Sequence, residues 1–397
     1  MSDEKNIPDG WVETTLGNIV NLGNNKIDIS KITKGNYVST ENLLTDRKGI
    51  INATSLPTIP KVNKFQIGDT LFSNIRTYFK KVWFSDKIGG SSNDVIIFST
   101  KNENSLAKKF LFYLISSDLF IDFTVKSAKG TKMPRGDKDA IKTFNILLPS
   151  LPEQKAIADI LTAFDDKIEN LQAQNKTLET IAQTIFKEWF GKYQIGDELP
   201  EGWRVGKLGE VGTIITGKTP SKNNPDYWGE KYSFITPTDF KEFGMYATKT
   251  HRNLSLNGWV KMKKNQLPLN TIMVTCIGSD MGKIAISSKE CITNQQLNSI
   301  ILFHDIHLGF VYQYLKSQHT KLKNIAMGGS TMPIINKTTF SNIELLIPAD
   351  ILTKKYQEMW NPISAKILQN VNQIQTLKKT RDTLLPKLMS GTIRVKK

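Results

Sequence analysis

The 397-residue chain carries 53 lysines and arginines against 37 acids, a formal charge of +16, with 39 % hydrophobic and 9 % aromatic residues. Such a length suits two or three domains with real cores, and the basic excess points to a polyanionic partner. The chain has no apolar run long enough for a transmembrane helix, no apolar signal core in its opening MSDEKNIPDG, and only Cys276 and Cys291 for any disulfide, so a cytoplasmic protein that does not engage a membrane is expected.

In chain order, residues 7–17 read IPDGWVETTLG and open a mixed region, 1–149. A basic turn follows at Arg76-Thr77-Tyr78-Phe79-Lys80-Lys81, then a buried strand at Asp94–Phe98 and a helical stretch over 105–117. A second basic turn, Lys126–Arg135, offers Lys129, Lys132 and Arg135, and an apolar strand ends at Pro149. From Pro152 to Phe190 no further proline and no glycine intervenes, and a 4-3 spacing picks out Ile157, Leu161, Phe164, Ile168, Leu171, Asn175, Leu178, Ala182, Ile185 and Trp189. All but Asn175 are apolar, the a/d seam of a coiled coil. Ser150-Leu151-Pro152-Glu153 predicts a capping box at its start.

At residues 199–209 the chain restarts with LPEGWRVGKLG, an offset of 192 from the first opening. Gly212–Thr219 spells the phosphate-loop pattern, but Pro220 and SKNNPDYWG cannot form the helix such a loop requires. A basic turn offering Lys218, Thr219, Ser221 and Lys222 to DNA phosphate is the better reading. Asn224-Pro225-Asp226-Tyr227 only faintly resembles an amino-methyltransferase motif, and His304 and His307 lack the acids or thiols of a metal site. The turn 277–283 offers Ser279 and Lys283, Thr293–Gln296 adds Asn294 and Gln295, and 327–332 adds Ser330 and Thr331. Arginine and lysine grip phosphates or read guanine edges, while hydroxyls and amides contact phosphate or adenine. A strand at Ser299–Phe303 and a helical stretch over 307–318 parallel the first half, and Thr331-Met332-Pro333 and ELLIP recur at an offset of 199. The growth from 192 to 199 predicts about seven extra residues in the second copy. The last seam runs Tyr356, Trp360, Ile363, Ile367, Asn370, Ile374, Leu377, Arg381, Leu384 and Leu388, with Pro362 expected to kink or restart it.

The chain is therefore written twice, predicting a mixed α/β (α+β) fold with an internal pseudo-twofold. Globular regions at 1–149 and 199–348 are followed by helical regions at 150–198 and 349–397. Net charges of +6, −4, +7 and +7 for these four segments in chain order make one helix acidic and the other basic. Pairing of the two within one chain, antiparallel, satisfies that charge. Centring the seams pairs residues whose numbers sum to 545, placing Asn175 opposite Asn370 and Arg381 near Asp165 and Asp166. A helix of about 38 residues spans ~57 Å. The basic globules it joins have the look of two readers of one polyanion. Phe186, Trp189, Phe190 and Tyr193 crowd one helix end, either as a partner surface or as a cap against a globule. No catalytic constellation emerges, so a protein that binds and does not react is expected.

The paired openings, TGKTPS followed by PDYWG, LPSLPEQKAIADIL before a long helix and the closing LLPKLMSGTIRV together resemble the specificity subunit of a Type I restriction–modification system, over essentially the whole chain. The resemblance implies two target recognition domains, each reading half of a bipartite site in double-stranded DNA. It also implies central helices that act as a ruler and dock two modification (methyltransferase) subunits, with restriction (motor-nuclease) subunits joining that core. S-adenosylmethionine, ATP and magnesium would belong to those partners, and no cofactor or metal to this chain. Ala349–Gln357 departs from the Leu-Pro-Glu-Gln of the first copy, so the two partner contacts are expected to differ. A solitary pseudo-twofold DNA-binding regulator, a phosphate-loop NTPase and a coiled-coil adaptor are the competing readings.

Overall fold

A computed structural model describes residues 7–130, 133–278, 280–304, 307–327 and 334–395. Two compact units divide the chain, one formed by residues up to Ile168 together with Thr376 onward, the other by Glu169–Gln375.

In the first unit, Val12–Thr15 pairs antiparallel with Asn145–Leu148, so the opening and closing strands of the globular region lock together. A four-stranded sheet runs in the order Val20–Leu22, Val95–Thr100, Thr70–Ser73, Val82–Phe84. Residues 95–98 are all buried because both faces of this sheet are covered, which makes an apolar run continuous. Alternation sends Ile96 and Phe98 toward helices Lys108–Ser116 and Asp118–Lys126, where Phe72, Phe120 and Phe144 pack, and Val95 and Ile97 toward Val38, Leu43 and Phe65. A second sheet of short strands, Lys26–Asp28, Lys61–Phe65, Gly89–Ser91 and Tyr37–Val38, completes that other side.

The second unit repeats the plan. Arg204–Lys207 pairs with Glu344–Ile347, and a five-stranded sheet runs Gly212–Thr216, Leu297–Leu302, Ile272–Thr275, Ile284–Ser287, Tyr246–Ala247. Here too Ile272, Val274 and Ile300 face the cluster containing helix Leu308–Ser317, while Met273 and Leu297 face the other side. Between equivalent strands the offset is 192 at Val12 and Arg204, 202 at Thr70 and Ile272, and 199 at Leu148 and Ile347. The net seven extra residues thus combine a longer insertion before the hairpin with a shortening after it.

Two 40-residue helices, Leu151–Phe190 and Asp350–Met389, each contribute to both units. Every predicted seam position is buried or half-buried: Ile157, Leu161, Phe164, Ile168, Leu171, Asn175, Leu178 and Ile185 on the first, Ile363, Ile367, Asn370, Ile374, Leu377 and Leu384 on the second. Within the second unit Asn370 Nδ2 donates to Asn175 Oδ1 at 2.9 Å, and the Tyr356 hydroxyl donates to the Ala182 carbonyl at 3.3 Å. Within the first, Arg381 pairs with Asp165, and Arg394 grips Glu153 at 2.7 and 2.9 Å. In each unit partner numbers fall along the later segment as they rise along the first helix, Arg394 lying just past the end of the second, so the pair is antiparallel at the register set by the centred seams.

Two local expectations are corrected. The second helix runs unbroken through Pro362, because that residue and Glu358, whose carbonyl loses its amide partner, lie on the exposed face open to water. Glu153 does not close a capping box: its carboxylate accepts from Trp11 Nε1 at 3.0 Å and from Arg394. Of the two alternatives for the aromatic end of the first helix, the cap is the one seen, against the globular region 199–348 of the same compact unit, with Phe190 4.9 Å from Phe310 and 5.1 Å from Tyr356, and Tyr193 5.4 Å from Trp203. The Leu-Pro-Glu-Gln departure also has a structural sequel. Buried Gln154 accepts from the Ala107 amide at 2.9 Å at the start of one helix, and Gln357 accepts from the Gly309 amide at 2.8 Å in the matching place.

Candidate nucleic-acid interface

In each unit the described parts of the loops nominated from sequence that adjoin the main sheet lie at one end of it. The first-unit hairpin leaves the sheet at Ser73 and returns at Val82, closed by the Ser73 amide donating to the Lys81 carbonyl at 3.0 Å. Ile75 bridges to Arg135, Lys129 bridges to the same arginine, and the Arg76 amide donates to the Pro134 carbonyl at 3.0 Å. The two basic turns are therefore one surface. Arg76, Tyr78, Lys129 and Arg135 are exposed on it, and Lys80 is half-buried. Lys80 pairs with Asp118 at 2.7 Å, Lys129 with Asp137, and Arg135 with Asp94 at 3.2 Å. Such exposed pairs are worth little and can open toward phosphate.

Thr77 and Lys81 are turned to the fold. Thr77 is 3 % exposed, its side chain turned beneath the loop. Lys81 is half-buried and donates to the Thr40 carbonyl, and burial lowers its pKa from the ordinary lysine value. It fastens the hairpin through that bond. Lys132 lies outside the described residues.

In the second unit, strand Gly212–Thr216 is followed by an open turn and no helix, so the phosphate-loop spelling builds no phosphate cradle. The turn is pressed onto 293–295 instead: the Lys218 amide donates to the Thr293 carbonyl at 2.9 Å and the Thr219 hydroxyl to Gln295 Oε1 at 2.7 Å. A Cβ on Gly217 would lie 2.2 Å from the Asn294 carbonyl, which explains the glycine. Lys218, Ser221, Lys222 and Gln295 are exposed and Thr219 half-buried. Asn294 is corrected: at 8 % exposure it spends its amide inside the turn, accepting from the Gln296 amide at 3.1 Å and donating to Gln296 Oε1 at 3.0 Å. Lys283 is half-buried and pairs with Asp280 at 2.8 Å. Ser279, Ser330 and Thr331 lie outside the described residues.

Two exposed features escaped the sequence reading. Phe79, inside a nominated turn, stands 38 % exposed with its ring 4.7 Å from that of Tyr78. Arg252 lies 3.6 Å over the Trp228 ring, a pairing across 24 positions that no spacing rule announces. His307 is buried, which lowers its pKa, and no cluster of metal-ligating side chains exists among the described residues. Burial raises the thiol pKa of Cys276 to about 11 and of Cys291 to about 12. Both are inert at neutral pH. No described helix is long and apolar enough to cross a membrane.

The duplicated architecture has a match in known proteins. The family model described as the Type I restriction modification DNA specificity domain matches residues 8–180 and again 200–386. The chain belongs to this family. The Type I restriction enzyme HindI specificity subunit of Haemophilus influenzae is 28 % identical, over 96 % of this chain and 99 % of its own length. The MjaIX specificity subunit of Methanocaldococcus jannaschii is 25 % identical over 74 % of this chain and 71 % of its own. A Type I restriction–modification S subunit from M. genitalium, solved by crystallography, shares the fold with a TM-score of 0.61, covering 98 % of both chains at 16 % identity. The chain is thus a Type I specificity subunit, the non-catalytic DNA-recognition component of its system, and the solitary regulator is set aside.

Proposed function

We propose that the globular regions 1–149 and 199–348 of this specificity subunit each read one half of a gapped bipartite site in double-stranded DNA. The observation that carries this is the pair of sheet ends: one backbone plan, built twice, presents Arg76, Tyr78, Lys80, Lys129 and Arg135 in one unit and Lys218, Thr219, Ser221, Lys222, Lys283 and Gln295 in the other. Equivalent platforms with different side chains read different bases. The helical regions 150–198 and 349–397 set the gap and dock two modification subunits, and restriction subunits join that assembly. Methyl transfer from S-adenosylmethionine and ATP-driven, magnesium-dependent chemistry belong to those partners. A 40-residue helix is about 60 Å long, which limits the distance between half-site centres to about 17 base pairs.

The test is the methylated motif in DNA of cells expressing this chain with its modification partner, read by modification-sensitive sequencing. A gapped bipartite motif that disappears when the chain is deleted supports the proposal. A motif that persists, or one continuous palindrome, overturns it.

A further inference from the structure

We infer that Arg76, presented beside the paired rings of Tyr78 and Phe79, is the residue with which the first unit reads a guanine in its half-site. The inference rests on the proposed reading of duplex DNA and deepens it. Loops 74–81 and 276–283 follow equivalent strands in the two units, and among the described residues they agree in the hydrogen bond that closes them and in two left-handed positions. The Ser73 amide donates to the Lys81 carbonyl at 3.0 Å, and the Thr275 amide to the Lys283 carbonyl at 3.0 Å. At the third and seventh loop positions φ is left-handed in both: +50° at Arg76 and +52° at Lys80, +88° at Gly278 and +81° at Gly282. Glycine takes that conformation without steric penalty, whereas a side chain resists it. The second unit therefore shows the unstrained solution to this turn, and the first departs from it twice.

One departure serves the fold: Lys80 Nζ lies 2.7 Å from Asp118, which also accepts from Arg47 at 2.7 Å. The other does not. Arg76 is exposed, and among the described residues its guanidinium has no ionic or hydrogen-bonded partner, while the neighbouring cations Lys80, Lys129 and Arg135 each have one. Its backbone is nevertheless fixed. The Arg76 amide donates to Pro134, the Phe79 amide to Arg76 at 2.9 Å, and the Asp46 and Arg47 amides to Phe79 and Lys80 at 3.0 and 2.9 Å.

A cation held on a strained, braced turn with no partner inside its own unit is preorganised for one outside it. The arginine fork matches the O6 and N7 edge of guanine. Tyr78 and Phe79, 48 % and 38 % exposed, add a flat apolar face beside it. The corresponding loop of the second unit has Gly278 where Arg76 stands and a buried Met281 where Phe79 stands, so this head belongs to the first half-site alone.

The experiment lets the full chain, assembled with its modification partner, select from randomised duplex DNA, as wild type, Arg76→Gly and Arg76→Lys, with the thermal midpoint of each. Wild type should enrich two short blocks. Arg76→Gly should lose preference for one guanine roughly tenfold or more, keep the other block, and melt no earlier, because glycine relaxes the turn. Arg76→Lys should weaken the preference for the same guanine by less than Arg76→Gly does, since a flexible ammonium can reach O6 and N7 but lacks the rigid planar fork. Both blocks unchanged in Arg76→Gly, an Arg76→Lys preference for that guanine weaker than that of Arg76→Gly, or an Arg76→Gly midpoint that falls would each overturn the inference. A wild-type chain that enriches no block would instead remove the DNA reading itself.

Discussion

At the scale of single residues, exposure separates the side chains that can meet DNA from those that hold the loops which do. Lys218 is exposed and, among the described residues, is tied into its turn through its backbone amide alone. Lys218→Ala should therefore leave the melting temperature unchanged, weaken binding about uniformly across DNA sequences, and reduce the slope of log affinity against log salt by about one. Fluorescence anisotropy at several salt concentrations measures this; an unchanged slope would place Lys218 off the DNA. Glu153 illustrates the other kind of residue. Hydrogen bonding from Arg394, and then from Trp11, holds its carboxyl below the usual glutamate range. A depressed carboxyl contributes stability above its unfolded-state pKa of about 4.3, and that contribution is lost as pH falls through the folded value. Glu153→Gln should cost about 1–2 kcal/mol at neutral pH and flatten the acid limb of the stability curve, as urea titrations across pH would record. Residue chemistry was legible in the sequence; the direction in which each side chain points was not. Thr77 and Asn294 have the composition of contacts, but a hairpin and a tight turn bury them, and the left-handed backbone at Arg76 leaves no mark in composition.

At the scale of elements, the long helices were the most legible part of the chain, since a 3.5-residue seam is a local pattern repeated over ten positions. The register followed because Asn175 and Asn370 are the two polar interruptions placed to meet, and Arg381 falls beside Asp165 by the same rule. Pro362 misled because a proline's effect depends on which face of the helix it occupies. The strands were found approximately, as buried apolar runs, but the short second sheet of the first unit was not, its two- to five-residue strands lacking any period to read. If the helices set the gap, inserting one heptad in each, opposite one another, should lengthen the recognised gap by about 10 Å, or three base pairs. Motif sequencing of the insertion variant would show this, and an unchanged gap would mean that the spacing is fixed elsewhere.

For the whole molecule, duplication is the organising fact. Each half of the chain folds its globular region on the same plan, closes it with a strand pair of matching register, and leads into a 40-residue helix. The repeat was visible in the paired openings IPDGWVETTLG and LPEGWRVGKLG, whose strands pair with the closing strands of their own units. The unequal spacing between landmarks was visible only as a net difference, because insertions and deletions in loops cancel in the sum. Two copies of one platform divide recognition into two separable tasks, and that division is the central claim. Its most direct test replaces residues 1–149 with the corresponding region of another specificity subunit and sequences the methylated motif. One block should change while the other block and the gap stay as they were. Both blocks changing, or neither, would contradict the assignment of one half-site to each unit.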